Sequence, residues 1–399
     1  SLHDALPIFM SQSTVENSGN TASLSVTMSN IDGTHARSSY GEVDWLKYTS
    51  STVTNPLFEE KITSRDGFGR IKTREERVLP LSGLVQVTTY EYTYDGAGRL
   101  WQVKENDALV REYGYDANGN RTSTKTYANG VQTHSFTGVY DAQDRMTSFE
   151  TIHGQASYQY DNNGRLSTKT RGGLTTTYDY DVFGNLRSVT LPSNAQVSYT
   201  IDPANRRVVR AKPGLPTERL VFVGLHPVAQ LTDDGSDWKR HFVYSSRGHV
   251  PDIMYEKTTS GVDVYRVVTD HLGSLRMVVK LDGSSTPTVV QRMSYDEWGN
   301  VVEDELGNNL PAGYTKVPFG YAGGLYDRDT GLVRFGARDY DAESGRWTAK
   351  DPLGFGGGTD FFVYAANDPV NLIDSNGQHP YETFPSAWDA AVDALSFYH

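Results

Sequence analysis

The sequence contains no cysteine. Disulfide frameworks, thiolate nucleophiles and cysteine-ligated zinc sites are excluded with it. No apolar run approaches the roughly 20 residues of a membrane-spanning helix, and no secretory leader pattern is visible. Leucine and isoleucine are sparse beside 25 tyrosines and 38 glycines. A basic face is missing as well: 37 Lys and Arg stand against 49 Asp and Glu, a formal net charge of -12. Nucleic acid is therefore not expected as the main partner, because phosphate recognition calls for clustered positive charge. The signatures of nucleotide-binding loops, zinc proteases and serine hydrolases are absent.

What is present favours β-structure. Tyr, Thr, Val and Gly suit strands joined by tight turns. An aromatic content of 12% separates the chain from disordered sequences. Its 399 residues suffice for one large β domain or two ordinary ones.

A short motif recurs from about residue 66. It reads Asp66-Gly-Phe-Gly-Arg70, Tyr94-Asp-Gly-Ala-Gly-Arg-Leu100, Tyr115-Asp-Ala-Asn-Gly-Asn-Arg121 and Tyr140-Asp-Ala-Gln-Asp-Arg-Met146. It continues as Tyr160-Asp-Asn-Asn-Gly-Arg-Leu166, Tyr180-Asp-Val-Phe-Gly-Asn-Leu186, Ile201-Asp-Pro-Ala-Asn-Arg206 and Tyr295-Asp-Glu-Trp-Gly-Asn-Val301. From Asp95 to Asp202 the copies follow at 20 to 25 residues, a repeat-protein period. Ahead of each Asp the residues alternate, as in Tyr92-Thr93-Tyr94, so the tyrosines share one face of a strand. The Asp caps the turn, and Gly three residues on supplies the left-handed backbone that closes a hairpin. A lone hairpin is barely stable, so successive copies must pair edge to edge into one sheet, which curls to hide its edges.

Other readings of these residues are weaker. Calcium needs six to eight oxygens, more than one Asp per turn beside an Arg supplies. The tyrosine stripe suits a core or cavity lining better than sugar stacking. His271 lies in a turn between two strands, with no second ligand at metal spacing. Propeller blades repeat every 40 residues or more, which fits poorly.

The segment from Gly331 to Gly377 carries Arg338, Asp351 and Asp374 among Gly, Pro and Asn, just before the composition changes. Two carboxylates and an arginine beside such a break suggest a chain that cuts itself. Each also has a structural reading, Asp351 and Asp374 as turn caps and Arg338 as an ion-pair partner. Tyr340, Arg346 and Trp347 read as packing residues. Glycines 354 and 356–358 would allow close backbone approach.

The repeat resembles the YD (Rhs) repeat, and residues 295–376 resemble the Rhs repeat-associated core domain. The core resemblance rests on Tyr295–Asn300, Phe319–Asp327, Thr330–Leu332, Arg334–Arg338, Tyr340-Asp341, Gly345–Trp347, Asp351-Pro352 and Asn367–Pro369. It implies an all-β fold, hairpins spiralling into a large hollow shell that the core closes. It also implies a toxin-encapsulating shell whose core cuts the chain just after itself, in the manner of an aspartic protease. Mapped by motif, the catalytic residues are Arg338, Asp351 and Asp374, with Asp339 as a candidate contributor. Two close carboxylates cannot both ionise, so one serves as acid and the other as base. An arginine can steady either one or the developing oxyanion. The family's usual ending is Asp-Pro-x-Gly-Leu with the cut after Leu. Here Asp374-Ser-Asn-Gly-Gln378 replaces Pro with Ser375 and Leu with Gln378. The scissile bond is then Gln378–His379, with cleavage slowed or lost.

Four regions follow: an irregular, partly artefactual end at 1–35, a YD-repeat shell at 36–290, the core at 291–378, and the start of a variable region at 379–399. Ser386 and Asp389 form a capping-box-like helix start there. The chain reads as a fragment of a longer protein. Expected partners are its own C-terminal toxin segment, delivery or secretion-system proteins and an immunity protein, with no nucleic acid, membrane span, cofactor or metal. Export or surface display follows from the resemblance alone. The alternative is a cell-surface YD protein for adhesion or carbohydrate binding, without cleavage.

Overall fold

The computed structural model describes residues 56–378, excepting 82–83, 246–247, 282–287, 309, 312 and 358–359, together with the strands Glu16–Ser18, Thr21–Met28, Ile31–Arg37 and Val43–Ser50. Residues 1–15, His379 and the expected helix start at Ser386 lie outside the described residues. The first three strands fall in the region whose sequence shows no repeat.

Twenty-six strands, from Glu16–Ser18 to Val301–Leu306, form one antiparallel sheet. Each strand pairs with its predecessor in sequence, a meander throughout. The tyrosine stripe faces inward: Tyr92, Tyr113, Tyr158, Tyr178 and Tyr199 are buried. The alternation legible in the sequence is thus the alternation of burial. No helix among the described residues is long and apolar enough to cross a membrane.

The turns repeat one hydrogen-bond scheme. In the copy at Asp161, the carboxylate accepts from the Asn163 and Arg165 amides, both at 2.9 Å, and from Arg165 Nε at 2.6 Å. The Gly164 amide donates to the Asp161 carbonyl at 2.9 Å. Asp144 and Asn205 stand where other copies have Gly, at φ +58° and +62°, a conformation Asp and Asn tolerate. Arginine also links copy to copy. Arg99 Nη1 reaches the Asp116 carbonyl at 2.8 Å, and Arg165 Nη1 the Asp181 carbonyl at 2.7 Å. The same guanidiniums stack on the tyrosine of the next copy, Arg99 on Tyr115 and Arg165 on Tyr180. The Asp-x-x-Gly-Arg pattern therefore encodes both a turn and its coupling to the neighbouring turn.

A second, four-stranded antiparallel sheet follows: Leu325–Tyr326, Leu332–Phe335, Arg338–Asp341 and Arg346–Trp347. This core domain lies against the turn rim of the meander. Arg346 reaches Asn120 and the Asp144 carbonyl, Arg334 reaches Asn185 and the Asn205 carbonyl, and Asn367 reaches the Gly119 carbonyl. Asn371 accepts from the Ile71 amide, and the Tyr340 hydroxyl donates to the Trp298 carbonyl. Turns spread from residue 66 to residue 300 converge on one short segment, so the sheet must curve around it. Apolar contacts run the same way. Leu332 packs in the cluster of Met146, Leu166 and Val189, and Val370 packs with Ile71, Leu100 and Trp298.

Candidate functional site

Arg338 opens a core strand, and its side chain is 3% exposed beneath the carboxylates of Asp351 and Asp374. Its Nη2 lies 2.8 Å from Asp351 Oδ2 and 3.0 Å from Asp374 Oδ2. The guanidinium also donates to two carbonyls, Gly377 from Nε at 2.5 Å and Phe361 from Nη1 at 3.2 Å. Its plane sits 4.1 Å from the Trp347 ring. Burial pushes the Arg338 guanidinium below its usual value, and the Asp374 and Asp351 charges pull it only part of the way back.

Each carboxylate is fixed on its second oxygen. Asp351 Oδ1 accepts from the Leu353 amide at 2.8 Å, and Asp374 Oδ1 from the Gln378 amide at 2.9 Å. Turn capping and ion pairing, read as alternatives in the sequence, thus coexist with the clustered arrangement. The chain leaving the core crosses the site: Gly377 is held by Arg338, and Gln378 by Asp374. The Ala337 amide donates to the Asn376 carbonyl at 2.9 Å. Gly336, at φ +39°, makes this approach possible, since a Cβ there would collide with the Asn376 carbonyl. The close approach expected at residues 354 and 356–358 is not found at Gly354 and Gly356, which lie in open space or beside only Leu353. Gly336 and Gly377 provide it instead.

Asp339 is not brought to the three. It follows Arg338 on a strand, and neighbouring side chains point to opposite faces. Its oxygens meet Arg207 at 2.5 Å and Arg334 at 2.8 Å. Trp347, read as packing, does pack, and it also orients Arg338. A cavity of about 320 Å³ opens beside the trio, lined by Arg338 and Asp351 but not Asp374, which is fully buried. Two carboxylates across a guanidinium, next to water-accessible space and to a clamped exit strand, form an arrangement able to activate water against a backbone carbonyl. Among the described residues no cluster suited to a metal ion occurs.

Comparison with known proteins agrees with the fold. Residues 11–369 match the family model described as teneurin YD-shell. Mouse teneurin-4 is 28% identical over 316 residues, covering 78% of this chain and 10% of its own length. Human teneurin-1 is 30% identical over 267 residues, 66% of this chain and 9% of its own. Double-stranded DNA deaminase toxin A of Burkholderia cenocepacia (strain H111) is 26% identical over 328 residues, 73% of this chain and 21% of its own. The chain therefore spans a tenth to a fifth of these relatives. Among solved structures, the Photorhabdus luminescens Tc holotoxin pore aligns with a TM-score of 0.54 at 16% identity, covering 92% of this chain and 22% of that one. That likeness is one of fold. With its repeated Asp turns, its inward tyrosines and a match along nearly its whole length, the chain belongs to the teneurin YD-shell family, the YD-repeat (Rhs) proteins to which its motifs pointed.

Proposed function

We propose that this YD shell encloses a C-terminal segment and releases it by cutting its own backbone between Gln378 and His379. A structural shell of the type found in toxin-related YD proteins is the shared ground with the deaminase toxin and the Tc pore. The observation that carries the further step is the grip of Arg338 and Asp374 on residues 377 and 378, with Asp351 paired to the same Arg338 guanidinium. Asp351, at the cavity, takes a proton from water as its oxygen attacks the Gln378 carbonyl carbon. Arg338 offsets the oxyanion, and the proton passes to the His379 nitrogen as the C–N bond breaks. Asp374 holds the Gln378 amide in place. Because substrate and site share one chain, effective concentration makes a slow single turnover sufficient. Enclosure and delivery would involve the segment after the cut and the partners of the longer protein.

The test is intact-mass analysis of a full-length protein extending past residue 399. Wild type should yield a fragment ending at Gln378, and Asp351→Asn and Asp374→Asn should stay whole. Gln378→Leu should cut faster by about tenfold, the rate equivalent of roughly 1.4 kcal/mol of added apolar docking. Wild type and variants that all remain uncut would remove the protease reading.

A further inference from the structure

We propose that the cavity beside Arg338 and Asp351 seats the residues that follow the cut, His379 to Phe384, and so determines what the site accepts. The purpose of this seat rests on the self-cleavage reading; its existence does not. The cavity lies between the turn Asp181–Asn185 and the segment Ala349–Pro352, and its volume is about 320 Å³. That is at the small end of the roughly 300–1,000 Å³ typical of ligand pockets, room for an aromatic side chain with a stretch of backbone.

The turn that forms one wall is unlike its siblings. The two positions after Asp are Gly67-Phe68, Gly96-Ala97, Ala117-Asn118, Ala142-Gln143, Asn162-Asn163, Pro203-Ala204 and Glu297-Trp298 in other copies, none of which pairs two large apolar side chains. In this copy they are Val182 and Phe183, 91% and 87% exposed. Two large apolar side chains held in water on a rigid turn have a hydration cost that a partner would recover. Elsewhere in the same fold these turn positions do bind the core. Trp298 is 1% exposed and packs with Val370, the His271 ring bonds the Val370 carbonyl, and Leu272 packs with Val333 and Tyr340. The Val182-Phe183 tip has the geometry of a docking turn, and it stands at the cavity where the chain leaves the core.

The occupant is named by proximity and by chemistry. Gly377 and Gln378 are clamped by Arg338 and Asp374, so His379 begins within one residue, about 3.8 Å, of the site. The sequence that follows, His-Pro-Tyr-Glu-Thr-Phe, offers Tyr381 and Phe384 to the wall of Val182, Phe183 and Pro352. It also offers Glu382 to Lys350. The Lys350 stem lies along Gly164, and its ammonium has no carboxylate partner among the described residues. The other two cations of the wall are already committed, Arg165 to Asp161 and the Asp181 carbonyl, and Arg338 to Asp351 and Asp374.

The experiment reads binding apart from cutting. A full-length Asp351→Asn protein carries photoreactive benzoylphenylalanine at position 183, is illuminated, digested and mapped by mass spectrometry. Cross-links should fall on residues 379–384. Lys350→Glu should lower their yield at least fivefold, and Glu382→Lys in the same chain should restore it. Cross-links confined to other segments, or a yield indifferent to the charge swap, overturn the proposal. The cleavage readout uses the otherwise wild-type protein with Asp351 intact, where Phe183→Asn should slow cutting at least tenfold, while Phe68→Asn, an equally exposed turn tip, leaves it unchanged. Cross-links at 379–384 in a protein that never cuts sustain the seat and sink the protease reading. Cutting without those cross-links does the reverse.

Discussion

Replacing Asp339 by Asn separates the structural network from the cleavage machinery. Asp339 is 2% exposed, and its two oxygens hold two buried guanidiniums, Arg207 from the meander and Arg334 from the core. Asparagine keeps one acceptor but turns an NH₂ group toward the other arginine, donor against donor. Leaving a buried charge uncompensated costs about 3–5 kcal/mol. Arg334 retains Asn185 at 2.8 Å and the Asn205 carbonyl at 3.0 Å, so most of the loss falls on Arg207. Arg207 keeps its stacking on Tyr199, 3.8 Å away, and the longer-range attraction of the Asp327 carboxylate. The low end of that range, about 3 kcal/mol, is therefore expected. At roughly 2–4 °C per kcal/mol for a large domain, the melting midpoint should fall by about 6–12 °C. Tryptophan fluorescence at one scan rate measures it, and cleavage is assayed at 20 °C, well below either midpoint. A midpoint within about 2 °C of wild type would refute the reasoning, as would loss of cutting in a variant that melts normally.

Other perturbations follow from the same contacts. Gly336→Ala drives a Cβ into the Asn376 carbonyl; limited proteolysis should find the shell intact and the 375–378 segment newly exposed. Ala366→Gly should raise the midpoint, since Ala365, Ala366 and Asn367 all sit at positive φ and a left-handed non-glycine residue costs about 1–2 kcal/mol. Asp161→Ala removes two amide caps and the Arg165 pair and should cost about 2 kcal/mol by denaturant titration. The pH profile contains two opposed contributions. Burial pushes the carboxyls of Asp66, Asp95, Asp141, Asp161 and Asp202 up, but bonds from arginine and backbone amides outweigh it, leaving them below the ordinary value. Their stabilisation is present above pH about 4 and lost as pH falls below it. Burial pushes the Asp368 carboxyl up to about 7, with Asn371 and Arg70 opposing. The folded state then binds that proton more tightly, so this group's contribution declines as pH rises from about 4 to about 7. Asp368→Asn should raise the midpoint at pH 8 and leave it nearly unchanged at pH 4.

The parts legible in the sequence were the local ones. An Asp turn is written within five residues, and so are its cap and its left-handed position. Strand alternation likewise predicted which tyrosines are buried. The curl of the sheet was not written locally. It depends on pairs such as Asn371 with Ile71 and Arg346 with Asn120, hundreds of residues apart, and no local pattern marks them. His271 shows the difference: its place in a turn was readable, whereas its bonds to Glu60 and the Val370 carbonyl were not. At the site, motif resemblance nominated Arg338, Asp351 and Asp374, and folding brings these three into contact. Asp339 was nominated with them as a contributor from the same motif, and strand geometry turns it to the opposite face. The roles of Gly336 and Trp347 depend on the path of the exit strand, which only the folded core defines.

The central claim is that water, activated beside Arg338 and Asp351, cuts the chain after Gln378. Mass analysis of the full-length protein matured in ¹⁸O-labelled water tests it directly. The account predicts an N-terminal product ending at Gln378 with one ¹⁸O in its new carboxylate. An unlabelled product, a terminus elsewhere such as Asn376, or a chain that stays whole would contradict it.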